Sequence, residues 1–146
     1  MLVLGFGNPG RRDDGLGAAL VERLKKRRLR GVDCDADYQL VIEDALACAE
    51  HEVVVFVDAA RGLRKPFSFS EVVPAAGLPA LSHALQPGAV LGIAAGLYGK
   101  TPDGRLLAVR GHRFSIGEGL SPAAEGNLAL ALAFLVDFLK GVRRCP

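Results

Sequence analysis

The residues best able to do chemistry fall in two places. One is Gly5-Phe6-Gly7-Asn8-Pro9-Gly10-Arg11-Arg12-Asp13-Asp14-Gly15-Leu16-Gly17, where spaced glycines lead into a pair of carboxylates. The other is Asp58, which directly ends the apolar run Val53-Val54-Val55-Phe56-Val57. Glycines at G-x-G-x-x-G spacing can bring backbone amides up to a phosphate. Carboxylates can instead take a divalent cation or move a proton as general acid or base. Read singly, Asp14 is a first-turn acid favoured by the helix dipole, whereas Asp58 stands at a strand end where function concentrates. His51, His83 and His112 each read alone as a surface or capping imidazole. Asn8 is a turn residue whose amide can brace the glycine loop.

Other hydrolytic machinery is missing from the sequence. There is no G-x-S-x-G, no H-E-x-x-H and no cysteine with an evident partner histidine. Cys34, Cys48 and Cys145 make neither a C-x-x-C pair nor an even disulfide set, as expected in a reducing cytosol. The start of the chain lacks a basic n-region and breaks into glycines, so it reads as a strand, not a signal peptide. No run is expected to span a membrane. Lys+Arg 18 against Asp+Glu 16 is too balanced to imply nucleic acid or an anionic bilayer. The one basic run, Lys25 to Arg30, reads as a solvated helix end. A cytoplasmic, soluble protein is expected.

The elements that must position these residues follow from periodicity. With 146 residues, half of them hydrophobic, residues 1–146 are expected to form a single α/β domain. Residues 1–6 and 52–57 read as buried strands, 32–38 as a weaker one, and 67–73 as a half-exposed one. Residues 105–110 and 112–116 read as one interrupted strand or two short ones. Helices are expected over 15–30, over 41–50 and from Pro87 to Tyr98, with a further short segment at Leu81–Leu85. The last helix is the best marked: Ser121 fits N-cap, Pro122 fits N1, and Gly141 can end it.

Strand, helix, strand, helix, strand implies right-handed crossovers and a parallel core. The expectation is a three-layer α/β fold: a mostly parallel, twisted sheet of about five strands with helices on both faces. In the order 2-1-3 the crevice opens beyond the carboxyl ends of the first and third strands. The Asp13-Asp14 loop and Asp58 would then border it from both sides.

A nucleotide-binding module using Gly5, Gly7 and Gly10 is the competing reading, with Asp35 or Asp37 placed as a ribose acid. It is disfavoured by the polar stretch that delays the helix and by two carboxylates beside a would-be pyrophosphate. Gly7-Asn8-Pro9-Gly10 also resembles the opening of bacterial peptidyl-tRNA hydrolases. That family's catalytic histidine is replaced here by Asp13-Asp14-Gly15, leaving the chemistry without a base.

The whole stretch from Gly5 to Gly17 resembles the N-terminal signature of the hydrogenase maturation proteases. The resemblance continues at Val57-Asp58-Ala59-Ala60, Ser82-His83-Ala84-Leu85 and Gly117-Glu118-Gly119-Leu120-Ser121-Pro122. It implies an endopeptidase that removes a C-terminal extension from the large-subunit precursor of a nickel-iron hydrogenase once nickel is in place. The resemblance also implies the site: Asp14, Asp58 and His83 as metal-reading and catalytic residues, with Asp13 as second choice to Asp14. Many family members carry glutamate where Asp14 stands, so the carboxylate here is one methylene shorter. Nickel would be carried by the substrate, and no organic cofactor is implied. Two carboxylates and an imidazole suit nickel or zinc, and three ligands leave positions open for water or substrate.

Overall fold

The computed structural model describes residues 1–76 and 85–144. Five strands make one sheet in the order β2-β1-β3-β5-β4. They are β1 (Leu2–Phe6), β2 (Asp33–Asp37), β3 (Val53–Ala60), β4 (Phe67–Glu71) and β5 (Asp103–Arg110). The β1–β2, β1–β3 and β3–β5 pairs are parallel, and only edge strand β4 runs antiparallel. The helices are α1 (Leu16–Lys25), α2 (Asp44–Ala49), α3 (Pro87–Tyr98) and α4 (Pro122–Arg144). The expected α/β architecture and 2-1-3 order are both present.

Period-two alternation sorts each strand between two cores. Val3, Val55, Val57, Leu107 and Val109 face α1 and α4, while Leu2, Leu4, Val54 and Phe56 face α2 and α3. β3 is apolar on both faces because it is covered on both, as a central parallel strand must be. β2 shows the opposite pattern. Its Asp33, Asp35 and Asp37 are exposed and only Cys34 and Ala36 pack inward, so charge guards this edge against pairing with another chain. On the other edge Phe67 and Phe69 stack on Phe134 and Phe138 of α4, with centroids 4.9 to 5.1 Å apart.

Four expectations are corrected. The helix predicted over 15–30 ends at Lys25, and the basic run continues into a turn where Arg28 takes φ 49° and Gly31 φ 77°. Residues 112–116 form no strand; their segment is a loop whose amides turn inward to a carboxylate. α4 runs through Gly141 to Arg144, because that glycine keeps helical backbone. At 23 residues α4 is also long and apolar enough to cross a bilayer by length and composition. Its stripe of Leu128, Ala131, Leu132, Leu135 and Leu139 is buried in the sheet core instead. The segment expected at Leu81–Leu85 lies outside the described residues except for Leu85, which bridges to Leu40.

Candidate active site

The loop after β1 is built around its glycines. Gly7 has φ 137°, and a Cβ there would strike the carbonyl oxygen of Asp14. A side chain is therefore excluded on two counts, backbone conformation and space. With Gly7 bare, a single 3-10 turn over Arg12–Gly15 folds back onto the loop and delivers Asp14 to the carboxyl end of β1. Gly17 acts one step later. A Cβ on it would meet the backbone oxygens of Val57 and Phe6, so this glycine lets α1 lie directly on β1 and β3.

Asp14 is half-buried, and its Oδ2 accepts a hydrogen bond from the Asn8 amide at 2.8 Å. Asn8 braces the loop as expected, its side-chain oxygen accepting from the Gly10 amide at 2.9 Å. Across the crevice, Asp58 is also half-buried and accepts from the Ala59 amide at 2.8 Å. Burial pushes the Asp58 carboxyl up to about 6; the Ala59 amide opposes this, and the neighbouring Asp14 charge adds to it. The two acids that topology placed on either side of the crevice thus feel one another. His83 lies outside the described residues, so the third member of the expected set has no position here. Among the described residues, no group of three or more His, Cys, Asp or Glu is close enough to hold a metal ion.

Asp13 turns out to be a different kind of residue from its neighbour. It is fully buried, and its carboxylate accepts from the amides of His112, Arg113 and Ser121 and from the Ser121 hydroxyl, at 2.7 to 2.8 Å. Burial pushes its carboxyl up, but these bonds outweigh it and hold the carboxyl below its ordinary value. With its oxygens so engaged, Asp13 is a lock between the acid loop and residues 111–121, not an alternative ligand. The Ser121 hydroxyl in turn accepts from the Ala124 amide at 3.2 Å, so the expected N-cap of α4 is present and tied to the acid loop.

The amides that would cradle a pyrophosphate are already taken. Gly7 N donates to the Asp37 and Tyr38 carbonyls, Asn8 N to Asp14, Gly10 N to the Asn8 side chain and Arg11 N to the Asn8 carbonyl. Asp37 caps the Tyr38 amide at 2.7 Å. A nucleotide would have to displace this network, which counts against the dinucleotide reading. Two hollows flank the loop, of about 290 Å³ beside Pro9, Arg12, Ala19 and Leu120 and about 220 Å³ beside Gly7, Ala36 and Tyr38; neither is lined by Asp14 or Asp58. The two cysteines among the described residues, Cys34 and Cys48, stay outside the site. Cys48 is buried, with burial pushing its thiol up to about 12, and Cys34 is half-buried on β2.

A mostly parallel sheet, with Asp14 in the turn after β1 and Asp58 inside β3, which runs on past the expected end at Val57 to Ala60, defines a doubly wound α/β protein with its crevice at the switch point. The particular version of that fold is the one found in hydrogenase maturation proteases. Over 97% of this chain and 92% of that one, it superposes on hydrogenase maturating endopeptidase HybD from E. coli, with a TM-score of 0.75 and 22% identity. The [NiFe] hydrogenase maturation protease HycI from Thermococcus kodakarensis gives 0.73 at 22% identity, over 95% and 91% of the two chains. A hydrogenase 2 maturation peptidase from a Thaumarchaeota archaeon gives 0.70 at 21% identity, over 94% and 96%. No protein-family model matches the sequence, and no curated protein sequence does.

Proposed function

We propose that this protein is a cytoplasmic endopeptidase that removes the C-terminal extension of a nickel-iron hydrogenase large-subunit precursor after reading the nickel bound there. The observation that carries the reading is the placement of Asp14, on the turn after β1, and Asp58, near the carboxyl end of the adjacent parallel strand β3. Two carboxylates brought together with partial burial are costly while both are ionised and the space between them is empty of charge. A divalent cation removes that cost, so the pair is suited to recognise a metal presented from outside. The family resemblance assigns His83 as the third residue, and two carboxylates with one imidazole are a donor set suited to nickel. Docking of the metal brings the scissile bond to the crevice, where water adds across the peptide bond to release the extension as a free amine and leave a new carboxylate. HybD and HycI, which share the fold, are themselves described as a hydrogenase maturating endopeptidase and a [NiFe] hydrogenase maturation protease.

The test is to incubate purified protein with nickel-loaded and nickel-free precursor and follow the size of the product. Cleavage of the loaded form alone is expected, with Asp14→Ala, Asp58→Ala and His83→Ala each abolishing it. Equal cleavage of both forms would overturn metal recognition, and full processing by His83→Ala would remove that residue from the site.

A further inference from the structure

Beside the acid pair lies a group of arginines that the proposed cleavage does not use. Arg12 takes φ 51°, a left-handed backbone that non-glycine residues rarely adopt, and its amide donates to the Gly117 carbonyl at 2.9 Å. Its guanidinium lies against Gly117, where a Cβ would collide with it. Arg11 Nε donates to the Phe114 carbonyl at 3.3 Å, and the Arg61 guanidinium sits 3.9 Å from the centre of the Phe114 ring. Arg113 is next to Phe114 in the same loop, with its amide held by Asp13 and its side chain exposed. Arg11, Arg61 and Arg113 are exposed and Arg12 is half-buried.

Among the described residues, no carboxylate forms an ion pair with these four side chains. The ion pairs among the described residues involve Arg23, Lys25, His51 and Arg105 only. Like charges gathered on one loop cluster repel, and a strained backbone holds one of them there. Such strain persists where surrounding structure enforces it, often at functional sites.

We propose that Arg11, Arg12, Arg61 and Arg113 form a docking surface for an acidic segment of a protein partner, adjoining the Asp14–Asp58 crevice. Exposed guanidiniums attract carboxylates through charge, and carboxylates borne one per side chain on an extended segment can meet arginines spread along a rim. A phosphate-rich partner fits less well, because the loop amides are already bonded and Asp14 and Asp58 would repel a continuous phosphate backbone. The partner's identity as the hydrogenase precursor rests on the proposed function; the binding itself does not.

The experiment titrates isotope-labelled full-length protein with hexaglutamate, hexalysine and inorganic phosphate, reading amide shifts at low and high salt. Hexaglutamate is expected to bind at low salt, to move resonances of residues 11–12, 61 and 113–117, and to be released by high salt. Arg61→Gln with Arg113→Gln should weaken it roughly fivefold, whereas lysine at both positions should retain most of the binding. Equal binding of hexalysine, phosphate binding as tightly as the peptide, or equal loss in the lysine and glutamine variants would each overturn the proposal. Because no cleavage is read, failure of the protease reading leaves this result intact, and the reverse also holds.

Discussion

Replacing Asp58 by asparagine should make the protein more stable at neutral pH, and less so or not at all in acid. The folded carboxyl is raised from 3.8 to about 6, chiefly by burial and further by Asp14. Between about pH 4 and 6 the native state therefore holds a proton that the unfolded chain has lost, so this group's contribution to stability falls as pH rises through that window and is flat above it. The rise spans roughly two pH units, which at about 1.4 kcal/mol each is about 3 kcal/mol at full value. Asp58 is only half-buried, and water reaching the carboxylate reduces the figure to about 1–2 kcal/mol. Asparagine is nearly isosteric, does not titrate, and can still accept the Ala59 amide through its side-chain oxygen. Urea unfolding of the two proteins across pH 4 to 8 is the assay, and only their difference matters, since Asp13 and Glu125, both lowered, tilt both curves the other way. The gap should be near zero at pH 4 and full at pH 7. Asp14→Asn should narrow it by easing the charge on Asp58. Equal stabilities at pH 7, or a less stable Asp58→Asn protein, would refute the claim that the acid pair is held together at a cost.

Asp13→Ala should destabilise by about 3 kcal/mol, because the buried amide and hydroxyl of Ser121 and the part-buried amides of His112 and Arg113 lose their acceptor; hydrogen exchange should show residues 111–121 loosening first, and unchanged protection there would count against the lock. Since the Asp13 carboxyl is lowered, its stabilisation is present above its unfolded value of 3.8 and is lost as pH falls through the folded value. Gly17→Ala should cost about 1–3 kcal/mol, as a methyl group meets the Val57 and Phe6 backbone, and should also shift Asp14 by moving the start of α1. Thermal melts measure the first effect and the amide resonance of Asn8, bonded to Asp14, reports the second.

The fold was legible where a pattern is local. Five apolar residues in a row mark β3 as a central strand, and the order of strands and helices alone places Asp14 and Asp58 across one crevice. Asp13 was not legible, since its partners lie about a hundred residues along the chain and no local pattern announces them. The same long-range bonds explain why 112–116, alternating enough to suggest a strand, is a loop: its amides have a carboxylate to satisfy them in place of a neighbouring strand. Gly141 failed as a stop because a glycine permits an αL cap without demanding one. Arg12, strained and aimed at Gly117, carries no signature in residue type alone.

The Asp13 lock also orders events in time. Strands β1, β2 and β3 and helices α1 and α2 are complete within the first sixty residues, and their contacts can form as soon as that length of chain is free. The acid turn cannot be fixed then. Its buried carboxylate has no donors until residues 112–121 arrive, and closing so long a loop is a late and slow step in folding. A chain still being synthesised thus carries Asp14 on an unsecured turn, and the crevice takes its final form only when the last third of the protein docks.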